Sequence, residues 1–451
     1  MKRSTTSVFS LAALFSSAVA LGQPLTPAPV GGGLSRAALI EQALTRSYAL
    51  ANNQAEQTKV KIEQQSLRNQ YLPEITFNPT FTHLDRDISI TIPRLPYQPL
   101  PKELYSGPYD LSQVIQRRDI LRATVSANVL LFSGTKIPTL GKALTAKGKA
   151  ISAMADKERM AIIREVAQVY DQLALVAKSE QVLTEADARL LAQTTFINRA
   201  VKEGLATPYD RSKVELATQD LKAKHVDLDG KRQLAIARLT QLTGLPAAQL
   251  ADIRPELTPL IADTLATGID NRPEIRALTF SEQAANYKQK ATIAGYLPQA
   301  YAFGKNELRR QDLSAIEPYW YVGVGIRWTL FDKMAARSER RTAQQDVLIA
   351  QNSLSQAREL LTLNLAKAQT DVATANQLLA VARQKTNLAR RALDIATKQY
   401  EQGLIRITER LEAESDFQKA EFDYLQAIVN QRTTVVAQRE ATGDLTVADV
   451  Y

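Results

Sequence analysis

The amino-acid sequence predicts a mainly α-helical fold with a membrane β-barrel, in which long helical hairpins accompany four strands per chain. Three features of the 451 residues support this prediction. The sequence repeats itself at a constant spacing, two segments alternate strictly between apolar and polar residues, and two very long stretches are rich in Ala, Leu, Gln and Lys. Together they indicate two structural repeats per chain and a twelve-stranded barrel completed by three chains.

The internal repeat is marked by short motifs that recur in the same order. Three of them recur at a separation of 199 residues, and a Tyr-Leu-Pro motif recurs at 225. The recurring motifs are Leu131-Phe132 with Leu330-Phe331, Gly204-Leu205 with Gly403-Leu404, Thr243-Gly244 with Thr442-Gly443, and Tyr71-Leu72-Pro73 with Tyr296-Leu297-Pro298. The extra residues of the first repeat fall in a proline-rich insertion over 85–119, which predicts an exposed loop.

Each repeat is expected to contain a helix, a strand, a loop, a second strand, a very long helix and a returning helix. The first repeat spans 35–245 and the second 271–443, with a linker over 246–270 between them and a tail over 444–451. The predicted helices are 35–70, 136–202, 208–243, 272–295, 335–402 and 408–442, and the predicted strands are about 75–84, 120–131, 299–307 and 320–331.

Two of the strands distinguish a barrel from other β structure. Odd positions from Leu121 to Leu131 are apolar and even positions from Arg122 to Asn128 are polar, whereas from Trp320 to Leu330 the even positions are apolar. Strict alternation over about 11 residues is typical of a tilted strand with one face to lipid and one to water. An ordinary half-buried antiparallel sheet stays an alternative. Four aromatic residues favour the barrel because they are placed like an interfacial girdle: Tyr296, Trp320, Trp328 and Phe331.

Four strands cannot close a barrel, and open sheet edges are too costly in lipid because their backbone groups lack partners. The sequence therefore predicts a homotrimer in contact with outer-membrane lipid. The long helices, at about 1.5 Å per residue, would extend about 100 Å beyond the membrane. Their apolar positions alternate with Ala on both flanks, which favours a wall of helices over an isolated two-stranded coiled coil.

The N-terminal residues predict an exported protein. Residues 1–22 have a positive start, an apolar stretch and a small-residue cleavage pattern, which indicate a signal peptide, and 23–34 have the composition of a flexible leader. The chain contains no Cys, which excludes disulfides and thiolate metal sites. The formal charge of +9 is interleaved with acidic residues, so nucleic acid is not expected as a partner.

No residue pattern supports catalysis. The two histidines, His83 and His225, fall on different predicted elements and lack the spacing of metal ligands. Gly134 and Gly141-Lys142 lack the spacing and the Ser or Thr of a phosphate-binding loop. We therefore expect no catalytic residues, no cofactor and no metal.

The duplicated order of motifs resembles the TolC-like outer-membrane efflux family over most of the mature chain. The resemblance implies a homotrimer in the cell outer membrane whose helices extend into the periplasm. It also implies that the protein acts together with a periplasmic adaptor (membrane fusion) protein and with an inner-membrane pump, which supplies the energy. The function expected is a passive duct that exports small molecules. A type I protein secretion channel and a periplasmic helical scaffold outside the membrane stay open as alternatives.

The resemblance also implies two sites at the periplasmic tips, where the helix breaks lie. The adaptor is expected to dock at Gly204, Leu205, Gly403 and Leu404. The aperture is expected to involve Asp210, Tyr400, Arg406, Glu409 and Glu412. In this hypothesis Asp210 and Glu409 accept hydrogen bonds from Tyr400 and Arg406, and Glu412 adds negative charge. The alternative is that the carboxylates are solvated groups stabilised by helix dipoles.

Overall fold

The computed structural model describes residues 35–92, 111–261, 268–313 and 317–450. The predicted signal peptide and leader lie outside these residues. The helices are α1 (Arg36–Arg46), α2 (Tyr48–Asn69), α3 (Lys136–Lys202), α4 (Pro208–Thr243), α5 (Ala247–Ala251), α6 (Pro273–Thr292), α7 (Ala335–Glu401) and α8 (Ile407–Thr442). The strands are β1 (Glu74–His83), β2 (Ile88–Ile92), β3 (Leu111–Gln116), β4 (Asp119–Phe132), β5 (Gln299–Glu307) and β6 (Trp320–Arg327).

The two repeats build helical hairpins of equal size. Helices α3 and α7 each have 67 residues, and α4 and α8 each have 36. Helix α4 returns along α3, and α8 returns along α7 while also contacting α3. The shorter α2 packs on α3, and α6 packs between α3 and α7. A helix of 67 residues is about 100 Å long, so the hairpin tips lie far from the sheet.

The helix predicted for 35–70 is divided at Ser47, which corrects the prediction of one continuous helix. The backbone of Ser47 is not helical, with φ of −59° and ψ of 117°. Its side-chain oxygen accepts a hydrogen bond from the backbone N–H of Leu50, so the serine caps the start of α2. A capping Ser satisfies a backbone donor that would otherwise lack a partner, and it lets the chain change direction between α1 and α2.

The main sheet has four antiparallel strands in the order β1-β4-β5-β6. Its register places Phe77 opposite Val125, and Ala302 lies between Val129 and Val324. These apolar residues share one face, whereas Thr76, Ser126 and Lys305 share the other. Within the described residues, β1 pairs only with β4 and β6 only with β5. The sheet therefore has one apolar face, one polar face and two open edges.

Two predictions about strands need correction. The strand predicted over 320–331 ends at Arg327, and beyond it the Trp328 indole donates a hydrogen bond to the Tyr296 carbonyl. The insertion predicted as loop contains a second, two-stranded sheet, because β2 pairs with β3. Alternation of Ile88, Ile90 and Ile92 suits strand structure, and the prolines of the insertion lie in 93–110, outside the described residues.

The core is spread along the helices. The largest cluster joins α1, α3, α4, α5 and α8 and includes Leu39, Ile163 and Leu239. A second cluster lies toward the hairpin tips and joins α3, α4 and α8 through Ile197, Val214 and others. None of the described helices is long and apolar enough to cross a membrane.

Candidate functional site

The apolar face of the sheet is bounded by tryptophans at both ends of β6. Trp320 begins the strand and Trp328 follows its last residue. Eight residues of strand span about 26 Å along the strand, and a tilt of about 35–45° reduces this to about 18–21 Å of height, within the roughly 25 Å apolar band of a membrane barrel. Between them Val322, Val324 and Ile326 are each at least 75% exposed in the single chain. An apolar surface of this height, with an aromatic residue at each boundary, fits within a lipid-facing band.

The remaining predicted girdle residues lie at the Trp328 end of the sheet. Tyr296 ends the 3-10 turn before β5, and Phe331 follows β6. Both side chains are largely exposed. The Trp328 indole nitrogen lies 3.1 Å from the Tyr296 carbonyl oxygen, so this end carries three of the four aromatic residues.

The hairpin tips turn at glycines with left-handed backbone. Gly204 has φ of 74° and Gly403 has φ of 73°. The N–H of Leu205 donates to the Ala200 carbonyl at 2.8 Å, and that of Leu404 donates to the Gln399 carbonyl at 2.9 Å. This six-to-one bond is the Schellman ending of a helix, which requires a positive φ. Both leucine side chains project outward, 78% and 68% exposed.

Asp210 is engaged within its own helix. Its carboxylate accepts hydrogen bonds from the Thr207 backbone N–H at 2.9 Å and the Thr207 hydroxyl at 2.7 Å. The Thr207 hydroxyl oxygen accepts from the Asp210 backbone N–H, which completes a capping box. The first tip therefore has the arrangement in which a helix-start carboxylate stabilises its own helix.

Tyr400 is partly buried between the two hairpins. Its ring meets Phe196 of α3 edge to face, with 5.8 Å between centroids. Burial is the main cause that raises the pKa of Tyr400. A hydrogen bond with Gln193 and the charge of Arg410 oppose this rise, whereas the negative charge of Asp210 adds to it. Among the described residues no hydrogen bond joins Tyr400 to Asp210, whose carboxylate is bonded to Thr207.

The second tip lacks a matching capping box. Arg406 occupies the N-cap position of α8 and provides no side-chain cap. Among the described residues, its guanidinium has no hydrogen bond or ion pair. Glu409 lies in the first turn of α8 and, with Glu412, lines a surface groove between α7 and α8. These two carboxylates are exposed and are free to meet another chain.

A buried charged cluster behind the tips was missed in the sequence. Arg189 of α3 donates to Glu414 of α8 at 3.0 Å, and Arg410 lies one turn before Glu414. Glu414 and Arg410 are only 5% and 6% exposed. Burial, above all other causes, lowers the pKa of Arg410. The guanidinium nitrogens Nε and Nη1 of Arg410 lack hydrogen-bond partners among the described residues.

The sequence contained a signal for this cluster. Core positions of α8 follow a spacing of three and four residues, as in packed helices. Counted from Ile407, this spacing reaches Arg410, Glu414, Phe417 and Glu421, so three of these four core positions hold charged residues. Because charged residues on long helices usually indicate a solvated face, the sequence analysis did not assign these residues to a buried cluster.

Neither histidine takes part in a metal-type cluster. His83 lies 2.6 Å from Asp119 at the outer end of β1, and His225 lies 2.7 Å from Asp187 between α4 and α3. The described part of the chain contains no group of three or more His, Asp or Glu residues arranged to hold a metal ion.

Comparison of the sequence with protein families gives one match. Residues 266–444 match the family model of the outer membrane efflux proteins, so this segment contains the whole second repeat. No curated protein sequence matches the chain significantly.

Comparison of the structure gives matches over most of the chain. The outer membrane protein VceC of Vibrio cholerae is 18% identical with a TM-score of 0.71, covering 90% of this chain and 95% of that chain. The Campylobacter jejuni CmeC outer membrane channel is 14% identical with a TM-score of 0.71, covering 90% and 85%. The Neisseria gonorrhoeae MtrE outer membrane channel, in its open state, is 18% identical with a TM-score of 0.68, covering 90% and 88%.

The shared fold confirms the predicted class of a mainly helical chain that contributes four strands to a barrel. The family match confirms the predicted resemblance and identifies the second repeat as outer membrane efflux protein sequence. The matched model describes efflux proteins and not an enzyme family. The CmeC and MtrE neighbours are themselves outer membrane channels.

Proposed function

We propose that three copies of the chain form a passive duct that exports small molecules through the outer membrane, as the channel of a tripartite efflux system. The observation that carries the proposal is the four-stranded sheet with an apolar face and two open edges. Open edges cannot lie in lipid. Pairing β6 of one copy with β1 of the next removes every edge and gives twelve strands, enough for a water-filled lumen.

The length of the helical hairpins supports the periplasmic part of the proposal. A span of about 100 Å places the tips far from the membrane, where an adaptor and an inner-membrane pump can reach them. No group of the chain is proposed to supply energy, so the pump drives transport and the duct conducts passively.

The tips supply the two proposed sites of this duct. Leu205 and Leu404 expose apolar surface on rigid, capped turns, which suits docking of the adaptor together with Gly204 and Gly403. Tyr400 packs against Phe196 between the hairpins, and the charge of Asp210 raises the Tyr400 pKa, which suits a latch at this level that holds the aperture closed. The exposed carboxylates of Glu409 and Glu412, with Arg406, are proposed to face neighbouring copies.

The trimer and the membrane location have a direct test. The full-length protein is extracted from membranes with high salt or with detergent, crosslinked, and sized. We expect release only by detergent and a crosslinked mass three times that of the single chain without its signal peptide. A protein that is monomeric and water-soluble without detergent would overturn the proposal.

The latch is tested by single-channel recording in planar bilayers. The double variant Tyr400→Phe with Asp210→Ala should raise the conductance severalfold over the wild type. Since Asp210→Ala also removes the capping box, Thr207→Ala serves as the control that breaks the box and keeps the charge. Unchanged current in the double variant, or an equal rise with Thr207→Ala, would show that the latch assignment is wrong.

Docking is tested with single cysteines, because the natural chain has none. Leu205→Cys and Leu404→Cys should crosslink to the periplasmic adaptor protein in cells that contain it. Leu234→Cys, which is exposed on α4 away from the tips, is the matched control. Crosslinks that form only at position 234 would contradict docking at the tips.

A further inference from the structure

Three aromatic side chains lie on the polar face of the sheet. The register pairs Tyr301 and Phe303 of β5 with glycines of β6, and it pairs Tyr321 of β6 with Lys305. All three rings therefore share the face of Lys305, opposite the face that carries the tryptophans. A barrel strand normally has polar residues on its water-facing side, so rings in this position need an explanation other than contact with lipid. We call Tyr301, Phe303 and Tyr321 the aromatic wall.

Two glycines of β6 make room for the aromatic wall. A Cβ built on Gly323 would lie 2.7 Å from Cζ of Phe303 and 3.2 Å from both of its Cε atoms. A Cβ built on Gly325 would lie 2.5 Å from Cζ and 2.7 Å from the hydroxyl oxygen of Tyr301. The far end of each ring thus covers a glycine, which is the close approach that a strand glycine permits. Any larger residue there would push the ring away from β6.

The three rings form one continuous surface. The ring centroids of Tyr301 and Phe303 are 5.8 Å apart, and those of Phe303 and Tyr321 are 6.1 Å apart. Both separations are typical of aromatic pairs that contact each other. Tyr321 is 42% exposed, and the other two rings are partly exposed. Their uncovered surface faces the space that the proposed barrel would enclose.

A positive charge lies beside the aromatic wall, at the end of the sheet nearest the helices. The guanidinium carbon of Arg327 is 5.3 Å from the ring centroid of Tyr301, within the range of a cation–π contact. Its side chain is exposed and forms no hydrogen bond or ion pair within the described part of the chain. Lys305, by contrast, pairs with Glu307 at 2.8 Å. The charge of Arg327 is therefore available to a solute.

We propose that the aromatic wall binds flat aromatic anions on their way through the lumen, with the solute stacked on Phe303 and Tyr321 and its negative group paired with Arg327. The inference rests on the proposed duct, because the polar face must line a lumen. Stacking selects a solute with a π-face, and the arginine selects an anion. Both contacts are weak when exposed, which suits a solute that must also leave the site.

The stacking is tested by the binding of naphthoate and its saturated analogue decahydronaphthoate to trimers in lipid nanodiscs, after subtraction of binding to empty nanodiscs. Phe303→Leu with Tyr321→Leu should weaken naphthoate binding roughly tenfold, within the range for lost aromatic pairs, and should change decahydronaphthoate binding little. The matched control is Phe77→Leu with Phe81→Leu, which removes two exposed rings from the apolar face. Unchanged binding in the wall variant, or an equal loss in the control, would overturn the inference.

The preference for an anion has its own test. Arg327→Gln should weaken the binding of naphthoate about threefold, as expected for an exposed ion pair, and should leave the binding of the neutral naphthylmethanol unchanged. Unchanged naphthoate binding would show that Arg327 is already neutralised by another group, such as Glu74 of the next copy, and would overturn the anionic part of the proposal.

The role of the glycines is tested by the same substitution on the two faces of the sheet. Gly323→Ala should weaken naphthoate binding severalfold, because Phe303 loses its place on β6. Gly304→Ala is the control, since its Cβ would meet only Val322 on the apolar face, at an ordinary 3.4 Å. Equal effects of the two substitutions would contradict the inference, and this pair decides the question if the double variant fails to assemble.

Failure of the inference and failure of the proposed duct are distinguishable. A wild-type protein that forms no trimer in the membrane would show that the duct is wrong and that the aromatic wall lines no lumen. A trimer that binds naphthoate equally with and without the rings of Phe303 and Tyr321 would overturn the aromatic wall alone.

Discussion

Asp171 accepts a 2.9 Å hydrogen bond from Arg432, and both side chains are 3% exposed. Arg36 of α1 donates to the same carboxylate oxygen, and both arginines also donate to the Val450 carbonyl. One carboxylate on α3 therefore balances two buried cations from opposite ends of the described chain. It ties α1, α8 and the C-terminal turn to the centre of α3.

Replacing this carboxylate should strongly destabilise the protein. Asp171→Ala leaves two buried guanidinium groups without their charge partner, and breaking a buried ion pair costs about 3–5 kcal/mol. Chemical unfolding of the solubilised trimer, followed by helical circular dichroism, measures the change. Asp156→Ala is the control, because Asp156 forms an exposed pair with Arg276, and such pairs contribute about 0–1 kcal/mol. Equal losses in both variants would contradict the central role of Asp171.

The tip glycines should be needed for their backbone conformation alone. A Cβ built on Gly204 or Gly403 meets no atom within 4 Å, but φ is positive at both. We expect Gly403→Ala to destabilise the tip by about 1–2 kcal/mol, the cost of left-handed backbone for an L-residue. Gly230→Ala in α4 also meets no atom, yet it should stabilise by up to about 1 kcal/mol because Ala favours helix. Thermal melts of the two variants should shift in opposite directions.

The assignment of the two sheet faces predicts that a lysine prevents assembly when it is introduced on the apolar face and is tolerated on the polar face. Val324→Lys places a charge at the centre of the apolar face, where a cation at the bilayer midplane costs about 2–4 kcal/mol. Ser126→Lys places it on the polar face and should be tolerated. The yield of detergent-extracted trimer measures assembly for both. Greater loss with Ser126→Lys would mean that the faces are assigned the wrong way round.

The stability of the protein should depend on pH through the carboxyl group of Glu421. Burial chiefly raises the pKa of Glu421, although the charge of Arg189 opposes the rise, and its Oε2 lacks a partner among the described residues. A carboxyl group with a raised pKa in the folded state loses its contribution to stability as the pH rises through that pKa. Glu421→Gln should therefore raise the melting temperature at neutral pH, and the gain should shrink toward acidic pH. A gain that grows on acidification would contradict this assignment.

The sequence predicted most of the architecture because its signals were periodic or repeated. The constant separation of 199 residues between motifs reappears as pairs of helices with the same length. Alternation between Leu121 and Leu131 located β4, since a two-residue period leaves little ambiguity.

The features that were missed depend on single residues or on tertiary packing. One serine at position 47 ends α1 and starts α2, which no periodicity reveals. The buried charges at Arg410 and Glu414 look solvated in sequence, and only the approach of α3 shows that they are enclosed. At the candidate tips, the capping box at Asp210 could have been read from Thr207 and the carboxylate three residues later. The missing cap at Arg406 could also have been noticed there.

The equal lengths of the two hairpins bear on how a trimer would meet a partner. Three chains would present six turns at one level, arranged with nearly sixfold pseudosymmetry. The difference between Thr207 and Arg406 at the start of the returning helices reduces that symmetry to threefold. A partner ring of six identical subunits would therefore contact two kinds of turn in alternation. Three of its subunits would meet the turn before Thr207, and the other three would meet the turn before Arg406.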